Sequence, residues 1–141
     1  MRTKVFLDTN IIMDLLVSER SSMEANTILS AVKTHCLEAQ ISTQSIFDAY
    51  YSSLKYNVPH EQFYAFVKEL RKYVNFAFLD SSDLDWALQH FSGDLEDDAQ
   101  FSCAYEGCCD FFITRDKKQL VRENNTPMKI ISPGDFVKHL I

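Results

Sequence analysis

The sequence contains few glycines and prolines, and it has no hydrophobic run long enough to cross a membrane. Its 141 residues include 3 Gly and 3 Pro, while 46% are hydrophobic, which excludes collagen-like and disordered chains. A membrane helix needs roughly 18–20 consecutive apolar residues, and no stretch approaches that length. We therefore expect one globular domain over residues 1–141, with no membrane contact. Because the N-terminus leads straight into an apolar strand, we also expect no secretory signal and a cytoplasmic protein.

Cysteine and histidine residues also lack the spacing of a metal site. The cysteines are Cys36, Cys103, Cys108 and Cys109, and the histidines are His35, His60, His90 and His139. No pair of cysteines shows C-x-x-C spacing, so they are expected to be reduced thiols. The histidines are scattered along the chain and are interpreted as surface or edge residues. The sequence thus offers no site for a soft metal ion.

Positive charge is absent from one strongly acidic segment. The chain carries a net charge of −6, and residues 80–98 contain seven acids with no Lys or Arg. Outside that segment, 13 acids and 14 bases nearly balance. A negative total charge argues against a nucleic-acid partner. Cations bound by the acids would weaken this objection, because a bound ion inverts the local charge.

Short apolar runs alternate with helical patterns along the whole chain. Runs typical of strands occur around residues 5–7, 39–41, 74–79, 110–114 and 128–131, and amphipathic segments separate them. This alternation predicts an α/β fold with a central parallel sheet of about five strands, flanked by helices. We find no internal repeat or linker, so we predict no domain boundary.

Two acids follow buried strands at equivalent positions. Asp8 comes directly after Val5-Phe6-Leu7, and Asp116 follows the run that ends at Thr114. Ligands of open α/β sheets bind at the carboxyl ends of the strands, so both carboxylates are candidates for one site if their strands are neighbours. The alternative is that each acid caps the helix that follows it.

Further acids lie in the predicted helices. Asp97 shares a helical face with the apolar residues at 101, 104 and 108, which predicts that it points inward. Asp98 is turned about 100° away and is expected to be solvated. Asp94 and Glu96 are explained by compensation of the helix dipole. Asp48 lies among aromatic residues, either as a site acid or at the edge of the apolar stripe.

Carboxylates without a histidine or cysteine cluster favour a hard cation. Mg²⁺ and Mn²⁺ prefer oxygen ligands, and Mg²⁺ usually keeps several waters. Such an ion can lower the pKa of bound water and neutralise charge on a phosphodiester. The acids therefore point to metal-dependent phosphoryl transfer.

Four segments together resemble the PIN domain family, which includes the VapC-type toxins. They are FLDTNII at 6–12, the helix around Asp48, DLEDDAQ at 94–100 and ITRD at 113–116, and the ending IISPGDF at 130–136 is also similar to the family. The resemblance implies a parallel sheet wrapped by helices, with clustered acids that bind Mg²⁺ or Mn²⁺ for RNA hydrolysis.

Family roles transfer to individual positions of this sequence. The resemblance implies that Asp8, Asp97 and Asp116 are the metal-site acids, with Thr114 as a supporting hydroxyl and Asn10 ordering the first loop. At Asp48 the family commonly has Glu. The shorter side chain implies a water-mediated contact with the metal. A one-residue shift of the alignment would put Asp98 in place of Asp97, but the apolar stripe argues against it.

Basic residues near Asp116 could contact RNA phosphates. They are Arg115, Lys117, Lys118 and Arg122, which lie next to Asp116 in the sequence, and phosphate contacts need such cations. The alternative is a solvated charged face. Similarly, Phe47, Tyr50 and Tyr51 could stack on a base, but core or dimer packing is the stronger interpretation.

The leading hypothesis is a metal-dependent endoribonuclease that uses activated water and forms no covalent intermediate. The resemblance further implies the toxin of a toxin–antitoxin pair, with an antitoxin protein as partner and a homodimer as assembly. The alternative is a PIN-like module that binds RNA or a protein and has lost catalysis. A phosphatase with an aspartyl nucleophile is disfavoured, because Asn10 stands where the second acid of its Asp-x-Asp motif would be.

Overall fold

The computed structural model describes residues 2–140 and contains a five-stranded sheet. The strands are β1 (Thr3–Leu7), β2 (Leu37–Ser42), β3 (Val74–Ala77), β4 (Phe111–Ile113) and β5 (Lys129–Ile131). All neighbouring pairs are parallel, in the order β3-β2-β1-β4-β5. The α/β fold with a central parallel sheet is thereby confirmed.

Helices fill the connections between the strands. They are α1 (Thr9–Leu16), α2 (Met23–Lys33), α3 (Thr43–Ser53), α4 (His60–Leu70), α5 (Ser81–Gln89), α6 (Leu95–Glu106), α7 (Lys117–Leu120) and α8 (Pro133–His139). Short 3₁₀ turns occur at Ser18–Arg20 and Leu54–Tyr56. Among residues 2–140, no helix combines the length and apolarity that a membrane crossing requires.

The hydrophobic core lies on both faces of the sheet, because successive side chains of a strand point to opposite sides. Val5 and Leu7 of β1 face a cluster that includes apolar residues of α1, α2, α3, α4 and α8. Phe6 faces the other side, where it stacks on Phe112 of β4 with ring centroids 5.2 Å apart. Phe101 of α6 completes this second cluster. Each fully buried aromatic side chain contributes about 1.5–3 kcal/mol through loss of apolar surface to water.

The strand order brings distant parts of the chain together at one edge. β1 is central and pairs with β4, with Leu7 opposite Ile113. The residues that follow these two positions are Asp8 and Thr114, so they emerge side by side at the carboxyl edge of the sheet. The backbone N–H of Asp8 donates to the carbonyl of Ile113 at 3.1 Å, which extends the pairing to the last residue before the site.

Candidate active site

An acidic cavity of about 450 Å³ opens at the carboxyl edge of the sheet. Its lining includes Asp8, Asn10, Arg20, Asp48, Lys55, Asp94, Glu96, Asp97, Gln100 and Asp116, and it is called the acid cavity below. The structure therefore brings all four predicted acids to one place, although they come from four separate segments of the chain. It also brings in acids that the sequence analysis had assigned to other roles.

Asp8 is the most buried acid of the cavity, with 6% of its surface exposed. Burial raises the pKa of its carboxyl group, while hydrogen bonds from Thr114 and Thr9 oppose that shift. The Thr114 hydroxyl donates to Asp8 Oδ2 at 2.8 Å, and the Thr9 backbone N–H donates to Oδ1 at 2.8 Å. The second contact caps α1, so the capping role proposed as an alternative coexists with a position in the cavity.

Asn10 and Thr114 form a hydrogen-bond network around Asp8, and its contacts fix the direction in which each donor points. The Asn10 amide donates to Asp8 Oδ2 at 3.4 Å and to the Thr114 hydroxyl oxygen at 3.2 Å. Its carbonyl oxygen accepts the backbone N–H of Arg115 at 3.0 Å. The same Thr114 oxygen accepts the backbone N–H of Asp116 at 3.0 Å. One hydroxyl thus links Asp8 to the segment that carries Asp116.

Asp116 and Asp97 lie near Asp8 on two other elements. Asp116 caps α7, where one carboxylate oxygen accepts the backbone N–H of Lys118 at 3.0 Å. Asp97 is half-buried in the first turn of α6. Burial, reinforced by the charges of Asp94, Asp8 and Asp116, raises its pKa to about 6. The charge of Arg122 opposes this shift, but Arg122 forms its salt bridge with Asp98 and not with Asp97.

Asp48 projects from α3 and meets Glu96 of α6. The two carboxyl groups share a hydrogen bond, and this contact together with burial raises the pKa of Glu96 to about 8. Gln44, one turn earlier on α3, donates to Asp48 Oδ1 at 3.1 Å. Glu96 was assigned to the helix dipole in the sequence analysis, but its side chain lies in the cavity. The longer Glu96 therefore occupies space beside the shorter Asp48.

The prediction that Asp98 is solvated is wrong. Its side chain is fully buried and forms a 2.6 Å salt bridge with Arg122, whose side chain is only 4% exposed. The backbone N–H of Ser92 donates to the same carboxylate at 2.9 Å, and the Ser92 hydroxyl also donates to it. The helical face was identified correctly, but the loop before α6 and the segment after α7 cover it. Asp98 is therefore a structural residue, and Asp97 is the one at the cavity.

The basic residues predicted to hold phosphates differ in their surroundings. Arg115 forms a 2.6 Å salt bridge with the buried Asp14, so its charge is already partnered. Arg122 is likewise occupied by Asp98. Lys117 is exposed and lines neither the acid cavity nor its neighbour, whereas Lys118 lines the neighbouring cavity described below.

Two cations that the sequence analysis did not select line the acid cavity. Arg20 is partly exposed and contacts Asp14 at 3.2 Å, and Lys55 is exposed in the 3₁₀ turn that follows α3. Asp14 therefore holds two guanidinium groups, those of Arg20 and Arg115, near the first loop. The position of Asp14 in the otherwise apolar helix α1 was the one sequence signal that could have indicated a buried salt bridge here.

The donor set fits a hard divalent cation. Within residues 2–140, none of the carboxylates of Asp8, Asp97 and Asp116 forms a salt bridge. Gln100 is 2% exposed and lines the cavity, and its carbonyl oxygen has no hydrogen-bond partner although its amide donates to Ser45 at 3.0 Å. A cation with its shell of water would supply both the missing charge and the missing donor.

The carboxylate oxygens of the acid cavity lie farther apart than they would if all of them bound one metal ion directly. In the described part of the chain, the group of three acids whose oxygens all lie within 4.8 Å of one another is Asp80, Asp83 and Glu106, outside the cavity. That group is explained by the capping of α5 by Asp80 and Asp83, and Ser102 donates to Asp83 at 2.9 Å. Wider spacing suits Mg²⁺, which takes one or two carboxylates directly and reaches others through water.

The predicted aromatic cluster lies away from the acids. Phe47, Tyr50 and Tyr51 of α3 line an apolar groove with Phe63 and Tyr64 of α4. Tyr50 packs edge-on against Phe63 with centroids 5.3 Å apart, while Phe47 and Tyr51 are exposed. Their position therefore does not support a role in stacking on a base next to the acids.

Comparison with protein families gives a match over most of the chain. A family model described as PIN domain matches residues 4–118. This range contains every acid of the cavity, together with Asn10, Gln100 and Thr114. No curated protein matches the chain with significance.

Solved structures share the fold at low sequence identity. A toxin–antitoxin complex from Klebsiella pneumoniae is 20% identical with a TM-score of 0.66, covering 92% of this chain and 97% of that one. VapBC2 from Rickettsia felis, bound to a promoter DNA fragment, is 13% identical with a TM-score of 0.66, covering 92% and 98%. VapC20 of Mycobacterium tuberculosis, a toxin that cleaves the sarcin–ricin loop, is 12% identical with a TM-score of 0.61, covering 80% and 90%.

Proposed function

The chain belongs to the PIN domain family, and from that premise we propose that it is an endoribonuclease that depends on Mg²⁺ or Mn²⁺. One observation carries the proposal. Asp8, Asp97 and Asp116 converge on one cavity from three elements, and none of them has a basic partner among residues 2–140. Such an arrangement is costly for folding unless it serves to bind a cation.

The residues of the cavity would divide the work as follows. Asp8, Asp97 and Asp116 would hold the ion, which supplies an activated water and neutralises charge on the scissile phosphate. Thr114 and Asn10 fix the orientation of the Asp8 carboxylate through hydrogen bonds at 2.8 and 3.4 Å. Preorganised ligands of this kind avoid reorganisation during the reaction.

Other residues of the cavity would orient water and substrate. Gln100 presents a buried carbonyl oxygen that can accept a hydrogen bond from a water molecule. Lys55 lines the cavity without a salt bridge among residues 2–140 and would attract the phosphate backbone of RNA, and Arg20 would add to this because its partner Asp14 is shared with Arg115. Asp48 and Glu96 would contribute through the pair that they form, which fits a water-mediated role for the shorter Asp48.

The first experiment compares RNA cleavage by the wild-type protein and Asp116→Asn, with Mn²⁺ or Mg²⁺ and with EDTA. Asparagine keeps the shape at position 116 and can still cap α7 through its amide oxygen. Asp8→Asn is a less informative variant. Its new N–H₂ group would face two other hydrogen-bond donors, the Thr114 hydroxyl and the Asn10 amide, whose directions are fixed.

Metal-dependent cleavage that is lost in Asp116→Asn supports the proposal. Calorimetric titration with Mn²⁺ should give binding to the wild type and much weaker binding to the variant. Full cleavage by both proteins would reject the site. Absence of both cleavage and metal binding in the wild type would identify instead a PIN-like module that binds RNA or a protein without catalysis.

We further propose that the protein is the toxin of a toxin–antitoxin pair. Two of the similar structures are toxin–antitoxin complexes, and a third is an RNA-cleaving toxin. We expect expression of the wild-type protein to arrest growth and expression of Asp116→Asn to leave growth unaffected. A protein encoded next to this one should relieve the arrest. The homodimer and the cytoplasmic location remain predictions, and sedimentation will establish the assembly.

A further inference from the structure

A second cavity adjoins the acid cavity and differs from it in chemistry. It has a volume of about 730 Å³ and is lined by Trp86, His90, Phe91, Phe101, Lys118 and Asn125, among others. It is called the tryptophan cavity below. Its size lies within the range of pockets for small organic ligands, which is suitable for a nucleotide.

The two cavities are adjacent. Asp94 and Asp97 line both of them, so the metal-site acid Asp97 stands at their boundary. A polynucleotide whose phosphate lies at the acids would therefore have a neighbouring nucleotide within reach of the tryptophan cavity. The sequence analysis had assigned Lys118 of this cavity to a phosphate, but it had assigned no residue of the cavity to a base.

Aromatic rings form a short stack along the wall of the tryptophan cavity. Trp86 lies against Phe101 with centroids 5.6 Å apart, and His90 stacks on Trp86 at 4.2 Å with an interplanar angle of 11°. The Trp86 carbonyl accepts a hydrogen bond from His90 Nδ1 at 2.9 Å, which holds the imidazole in place. Both His90 and the adjacent Phe91 are exposed. The stack therefore ends on rings that a flat ligand can cover.

Polar groups in the same wall suit the edge and the phosphate of a nucleotide. Gln89 and Asn125 line the cavity and carry amide donors and acceptors for a base edge, whereas the neighbouring Asn124 is already bonded to Met128 and Thr126. Lys118 also lines it, and its ammonium group forms no salt bridge among residues 2–140. The charge of Arg122 is neutralised by Asp98, so Lys118 is the cation that remains available to a phosphate.

We propose that the tryptophan cavity binds an unstacked nucleobase of single-stranded RNA, in a nucleotide next to the scissile phosphate, by extending the Phe101–Trp86–His90 stack. This inference rests on the proposed function for its position relative to the cut. Single-stranded RNA is recognised mainly by stacking of splayed bases on aromatic side chains, with hydrogen bonds to their edges. An apolar peptide side chain would offer no partner to the amide groups of Gln89 and Asn125 or to the ammonium group of Lys118.

The chain contains one tryptophan, and it lies in this cavity. Its fluorescence, excited at the red edge of its absorption, therefore reports binding there without any need for cleavage. The titrations use the full-length protein in EDTA with adenosine 5′-monophosphate, single-stranded tetra-adenylate and, as a probe without a base, ribose 5-phosphate. Both adenine-containing probes should quench Trp86 with saturation, and ribose 5-phosphate should not.

Two exposed phenylalanines provide matched variants. Phe91 is 75% exposed in the tryptophan cavity, and Phe78 is 69% exposed outside it. Phe91→Ala should weaken tetra-adenylate binding by about 5- to 150-fold, the usual effect of removing one stacking partner. Phe78→Ala should leave it unchanged. His90→Ala should weaken binding in the same way as Phe91→Ala.

Each outcome has a definite consequence. The inference is overturned if the adenine probes leave Trp86 unaffected, if ribose 5-phosphate quenches equally, or if Phe78→Ala weakens binding as much as Phe91→Ala. Base-dependent quenching without RNA cleavage would support the base site and reject the nuclease. Metal-dependent cleavage with an unresponsive Trp86 would support the nuclease and reject the base site.

Discussion

Replacing Asp98 with asparagine removes one charge from a buried pair and leaves the other in place. In the native protein the Asp98 carboxylate accepts a 2.6 Å bond from Arg122 and a 2.9 Å bond from the Ser92 backbone. Asparagine keeps an oxygen for Ser92 but has no charge for Arg122. Because arginine cannot release its proton, the guanidinium stays charged at 4% exposure and faces an amide.

The magnitude of this change follows from the burial of both partners. Removing one member of a buried salt bridge costs about 3–5 kcal/mol, against a total stability of about 5–15 kcal/mol for a domain. For a chain of this length that loss lowers Tm by roughly 10–15 °C. The cation–π contact of Arg122 with Phe101, with the guanidinium carbon 4.3 Å from the ring centroid, offsets only a small part of it.

The assay is urea unfolding in EDTA, followed by circular dichroism. Glu69→Gln is the control, because Glu69 pairs with Lys72 at 3.0 Å on the surface and its loss should cost less than about 1 kcal/mol. The double variant Asp98→Leu with Arg122→Met should recover most of the stability, since no buried charge remains. If Asp98→Asn unfolds at the same urea concentration as Glu69→Gln, the reasoning from burial is refuted.

Three further predictions concern the acids and the thiols. Asp116→Asn should abolish metal-dependent RNA cleavage without lowering Tm in EDTA, and a fall of more than a few degrees would contradict the assigned role. The pKa values of Glu96 and Asp97 in the folded state are raised to about 8 and 6, so the folded protein binds more protons than the unfolded chain. Metal-free protein should therefore lose stability as the pH rises from 5 to 8. Glu96→Gln should flatten this Tm profile between about pH 6 and 8, and an unchanged profile would refute it. Burial raises the pKa of Cys103 and Cys109 to about 12, so a thiol reagent should modify only the two exposed cysteines until denaturant is added.

The fold could be predicted because its determinants are local in sequence. Short apolar runs and amphipathic segments gave the order of strands and helices, and chain connectivity then requires a parallel sheet. The carboxyl-edge rule selected Asp8 and Asp116 without knowledge of the strand order. That β1 and β4 are neighbours came from the structure, which brings Asp8 and Thr114 within 2.8 Å of each other.

The remaining features depend on contacts between distant segments. A helical projection places Asp98 away from Asp97, but it cannot show that Arg122, 24 residues later, covers that face. Glu96 looked like an ordinary first-turn acid because its partner, Asp48, lies on another helix. The aromatic stack at Trp86 was missed because its residues lie on two helices: His90 was considered only as a possible metal ligand, and Phe101 only as part of the apolar face of α6.

The hydroxyl of Thr114 also has a consequence for the synthesis of this protein. Asp8 leaves the ribosome 106 residues before the threonine that orients it, which at roughly 5–20 residues per second is an interval of about 5–20 s. During that interval β1 has no β4 beside it, and Asp8 at its end has neither Thr114 nor Asp116 near it. A growing or truncated chain that stops before residue 114 therefore contains no complete site. The complete set of site residues therefore exists only once the last fifth of the chain is being added.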